Sequence, residues 1–63
     1  MKTTKLPHSQ EYQIGKARAL QAAEDYRSSR LSPSQVDREE FPGAAWPAFM
    51  AGWRAGMREA AQK

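Results

Sequence analysis

The sequence predicts an all-α domain: two long helices packed as an antiparallel hairpin, with a short helix in the linker between them. Three observations predict it. Small and apolar residues recur at three- and four-residue steps in two stretches, Tyr12 to Tyr26 and Trp46 to Ala60, the period of a helix face. Turn and cap residues cluster between those stretches, from Ser32 to Gly43. No segment alternates with period two for long enough to make a strand.

The first helix is expected over about residues 9–29. This stretch is rich in Ala, Gln, Glu, Lys and Arg, which are good helix formers. Ser9 is a candidate N-cap, because its hydroxyl can accept from a free N–H of the first turn. Tyr12, Gly15, Ala19, Ala22, Ala23 and Tyr26 share one face, with Leu20 at its edge and Ile14 and Ala17 outside it. Gly15 inside a helix costs about 1 kcal/mol against Ala, and a close backbone approach would be a reason to keep it. Residues 1–8 read as a flexible N-terminal tail.

The short helix is expected over about residues 33–40. Ser32-Pro33-Ser34-Gln35 reads as a capping box with Pro at the first helical position. Leu31 and Val36 then fall at the two staple positions. Phe41-Pro42-Gly43 stops this helix.

The second long helix is expected over about residues 44–62, with Pro47 confined to its first turn because deeper placement would clash. Trp46, Phe49, Met50, Trp53, Met57 and Ala60 follow the helical period. Ala48, Gly52, Gly56 and Ala60 put a small residue at every fourth position. Such a row lets another helix come close; the effect is best known in membranes, but its steric basis is general. Tyr12, Gly15, Ala19, Phe49, Gly52 and Gly56 are the expected helix-packing residues.

Composition excludes several functions. The chain has 63 residues and no cysteine, so it forms one domain of residues 9–63 with no disulfide and no Cys-based metal site. Its single histidine, His8, lies in the predicted tail. No Gly-rich phosphate loop, His–Asp–Ser set or HExxH is present, and Glu39 and Glu40 are adjacent and diverge on a helix. The expectation is a protein that is not an enzyme, holds no cofactor and no metal, and has no membrane span, since no apolar run approaches ~20 residues. The absence of cysteine and of a secretory pattern points to the cytoplasm.

Ten Lys and Arg against seven Asp and Glu give a net charge of +3, which permits nucleic-acid contact without demanding it. The charge is uneven: basic ends flank a middle holding Asp37, Glu39 and Glu40. Lys16, Arg18, Arg27, Arg30, Arg54 and Arg58 could contact phosphates, and Lys16, Arg18, Arg54 and Arg58 are the set expected to face RNA, since Arg pairs bidentately with phosphate. Trp53 beside Arg54 is a candidate stacking platform for an unpaired base. The bland alternatives are ordinary surface charge for the cations and core packing for the aromatic stripe.

Two segments carry a family resemblance: Gln10-Glu11-Tyr12-Gln13-Ile14-Gly15 and Phe49-Met50-Ala51-Gly52-Trp53-Arg54-Ala55-Gly56. The chain resembles the ribosome modulation factor family, which pairs an aromatic-x-x-Gly on its first helix with a Gly-Trp-Arg on its second. Where that family carries a Cys-Pro-Tyr-type segment between the helices, this chain has the acidic stretch from Leu31 to Phe41. The resemblance implies a two-helix protein that contacts ribosomal RNA on the small ribosomal subunit and promotes hibernating ribosomes. A competing expectation is a helical protein–protein module, a phage- or plasmid-type inhibitor or adaptor of a host protein, open to acting as a homodimer. Under that reading the acidic middle would grip a basic protein surface and repel RNA. A DNA-binding dimer is disfavoured, because neither long helix is basic along one face.

Overall fold

A computed structural model of the chain describes residues 9–62. Three helices make up the regular structure: α1 (Ser9–Tyr26), α2 (Gln35–Glu40) and α3 (Ala45–Ala61). The predicted tail with His8 lies outside the described residues, as does the Ser9 side chain proposed as a cap. No described helix is long and apolar enough to cross a membrane.

α1 ends at Tyr26, three residues before the expected end. Arg27 turns into the left-handed region (φ 53°), and the Ser28 amide donates to the Ala23 carbonyl at 3.1 Å. This six-to-one bond is the signature of a Schellman stop. Ser28 and Ser29, poor helix formers, offer little reason to continue.

α2 starts two residues later than expected. Its N-cap is Ser34, and the capping box joins Ser34 to Asp37, not Ser32 to Gln35. The Asp37 amide donates to Ser34 Oγ at 3.3 Å, and the Ser34 amide donates to Asp37 Oδ2 at 3.0 Å. A carboxylate at this position accepts more strongly than an amide and complements the helix dipole, so Ser34–Asp37 wins over Ser32–Gln35. The expected staple is absent: Val36 is exposed, while Leu31 packs on the core.

α3 begins with no side-chain cap. None is needed. The Ala45 amide donates to the Pro42 carbonyl at 3.3 Å and the Trp46 amide to the Gly43 carbonyl at 3.1 Å. Pro47, third in the helix, has no N–H to satisfy. Gly43 makes this turn at φ 62°, where a Cβ would be strained.

The core lies between α1 and α3. Ala19, Ala23, Phe41, Phe49, Trp53 and Met57 are buried, with Trp46, Ala60 and Leu31 packed against them. Phe49 sits at its centre, stacked on Phe41 (4.6 Å between centroids), Trp46 (5.4 Å) and Trp53 (6.1 Å). The predicted α3 stripe is therefore the core stripe. On α1 the small residues face inward as expected, but the two tyrosines do not: Tyr12 is 38% and Tyr26 72% exposed, and Tyr12 meets Gly52 of α3 through its backbone.

The two long helices meet through their glycines. A Cβ on Gly15 would collide with the Phe49 carbonyl, and one on Gly52 with the Tyr12 carbonyl. A Cβ on Gly56 would lie 2.6 Å from that of Ala19 and 2.7 Å from the Lys16 oxygen. Backbone packs on backbone here, the setting in which Cα–H···O contacts recur between helices.

These contacts also give the sense of the pair. Gly52 lies against Tyr12 and Lys16, and Gly56 against Lys16 and Ala19. Residue numbers rise together, so α1 and α3 run in the same direction. The expected antiparallel hairpin is thus corrected to a parallel pair. The reason is the connection. α1 has 18 residues and is about 27 Å long at 1.5 Å per residue. Residues 27–44 reach more than far enough to return along it, whereas antiparallel neighbours are joined by short loops.

Candidate nucleic-acid interface

The return segment is held by a few specific bonds. Leu31 straps across α3: the Trp53 indole N–H donates to the Leu31 carbonyl at 2.8 Å, and the Leu31 amide donates to Met57 Sδ at 3.5 Å. Trp53 is 5% exposed. It is a core residue with its polar atom satisfied internally, so its ring offers no surface for a base to stack on.

Arg18 is turned toward α2. Its Nη1 donates to Asp37 Oδ1 at 2.6 Å and to Glu40 Oε1 at 2.8 Å, and its Nη2 donates to Glu40 Oε2 at 3.0 Å. The guanidinium also lies 5.4 Å from the centroid of the Phe41 ring. These partners hold the Arg18 pKa above its ordinary value, chiefly through the hydrogen bond to Glu40. The same hydrogen bond holds the Glu40 carboxyl below the ordinary carboxylate range. Arg18 thus fastens α2 to α1 with its side chain still 38% exposed. The sequence hint was the lone acidic cluster at Asp37 and Glu40; the distance of 19 to 22 positions from Arg18 made the pairing invisible.

Lys16 sits at the helix crossing and reaches Glu59 Oε1 at 3.3 Å, with both side chains roughly half exposed. An exposed pair of this kind contributes little and yields readily to competing charge.

Arg54 and Arg58 are different. Both are exposed, one turn apart on the outer side of α3, and neither forms an ion pair among the described residues. The acidic middle is partly engaged. Asp37 and Glu40 are engaged by Arg18, and Glu39 accepts from Gln35 at 3.4 Å. Arg38 lies 5.6 Å from the centroid of the Trp46 ring. Of the predicted contacts, then, Arg54 and Arg58 form a free basic ridge, Lys16 is weakly held, and Arg18 and Trp53 belong to the scaffold.

The sequence offered Arg27 and Arg30, at the corner where α1 ends, as possible phosphate contacts, and placed Tyr26 on the packing face. Tyr26 is exposed there, as are Arg27 and Arg30. A left-handed arginine costs about 1 kcal/mol or more relative to glycine, of which a cation at a helix C-terminus recovers about 0.3–1 kcal/mol. Shallow grooves flank the corner, one bordered by Leu20, Arg27, Ser29 and Ala60, the other by Gln21, Tyr26 and Leu31.

The fold therefore defines a small three-helix domain built on a glycine-mediated parallel helix pair. No family model, curated protein or solved structure matches this chain.

Proposed function

We propose that this protein is a non-enzymatic RNA-binding factor that contacts ribosomal RNA through α3 and modulates translation in the manner of a hibernation factor. The observation that carries this reading is the Arg54–Arg58 ridge, exposed and without acidic partners among the described residues. Pairing of Asp37 and Glu40 with Arg18 supports it, because it compensates one of the two charges that would repel phosphate. The two segments resembling ribosome modulation factor also abut, with Gly52 seated on the Tyr12 backbone and Gly15 on that of Phe49. On this reading the shared glycines hold the helix pair and the arginine beside Trp53 meets the phosphates.

Co-sedimentation with small ribosomal subunits tests the proposal. The chain should pellet at low salt and be released as salt rises, because phosphate contacts release counterions. Failure to pellet at low salt rejects it. A protein partner, whether a host protein or a second copy of the chain, is the competing reading, favoured by Val36, which is 68% exposed. Capture that survives nuclease treatment would favour that reading.

A further inference from the structure

We propose that the corner formed by Tyr26, Arg27 and Arg30 is a second RNA contact, which takes an unpaired nucleotide. This inference rests on the RNA-binding reading above. Three features of the corner point to it. Arg27 occupies the left-handed position of a Schellman stop (φ 53°), a place where glycine fits without strain. A long cationic side chain there is unfavourable to the backbone, and strain of this kind is characteristic of functional positions. Tyr26 is the most exposed large hydrophobic side chain among the described residues, at 72%. Its ring packs against no other aromatic ring there, so a face is open to stacking. Finally, neither Arg27 nor Arg30 has an ion-pair partner among the described residues, the neighbouring Glu24 and Asp25 included.

An aromatic ring next to unengaged guanidinium groups is the chemistry that recognises single-stranded nucleic acid: the ring stacks on a base and the cations meet the adjoining phosphates. Both tryptophans are unsuited to that role, Trp53 by burial and Trp46 by its place between Phe49 and Arg38. The corner therefore supplies what the α3 ridge lacks, a preference for unpaired over duplex RNA. The ridge contributes affinity independent of sequence.

The test uses the full chain and two RNAs of equal length, a hairpin with an unpaired loop and a fully paired duplex. Wild type should bind the hairpin roughly tenfold more tightly. Tyr26→Ala and Arg27→Gly should each reduce hairpin binding toward the duplex level. Arg27→Gly should leave the melting temperature unchanged or raise it by up to roughly 4 °C, the relieved backbone strain offsetting the lost cation, so weaker binding could not be assigned to unfolding. An equal affinity of wild type for the two RNAs would overturn the corner and leave the ridge standing, as would a folded Arg27→Gly variant that binds the hairpin like wild type. Binding to neither RNA would overturn both proposals.

Discussion

At the scale of single residues, the fold depends on the absence of side chains. Gly15 and Gly52 each face a carbonyl group of the other helix, so a methyl group there meets backbone that cannot rotate away. Gly15→Ala or Gly52→Ala should therefore cost about 3 kcal/mol, at the upper end of overpacking. Thermal melts followed by circular dichroism should show a drop of well over 10 °C. Gly43→Ala provides the contrast. It meets no neighbour within 4 Å but must hold φ 62°, so it should cost about 1 kcal/mol. Equal effects at the three positions would contradict the close crossing.

At the scale of elements, α2 is a clip. It has six residues, too few to be stable alone, and is anchored by Arg18 on one side and by Phe41 in the core. The pH response follows. Glu40 has a folded-state pKa depressed below its unfolded value by the hydrogen bond from Arg18. Its contribution is present above the unfolded value of about 4.5 and is lost as pH falls through the folded pKa. Stability should decline on acidification below about pH 4.5, and Glu40→Gln should lower stability at neutral pH while flattening that decline. An unchanged acid profile in the variant would show that the clip does not depend on this carboxylate.

The elements also show what could be read in the sequence. Helix positions, the α3 core stripe and the glycine faces were legible because they depend on local period and side-chain size. The cap of α2 was misplaced because two overlapping serines competed, and only the choice between Gln35 and Asp37 as partner decides between them. The pairing of Arg18 with α2 and the burial of Trp53 could not be read. Each is fixed by where the return segment lies against the helices, a contact between residues far apart in the chain.

At the scale of the whole molecule, the consequential feature is the common direction of α1 and α3. It brings both helix C-termini to one end, where their negative dipole ends add. Arg27, just past α1, and Arg58, in the last turn of α3, compensate. It also requires the long return segment, and that segment carries the acids which neutralise Arg18. The cations left over lie on the outside of α3 and at the α1 corner.

The most direct test of the central claim is the salt dependence of binding to ribosomal RNA for wild type and for the Arg54→Ala/Arg58→Ala double variant. Two lost phosphate contacts should make the slope of log K against log salt shallower by about 1.4, with the melting temperature lowered by only a few degrees, because both side chains are exposed and the loss at the helix C-terminus is about 0.3–1 kcal/mol. Parallel lines of equal slope would show that the α3 ridge does not touch phosphate and would contradict the account.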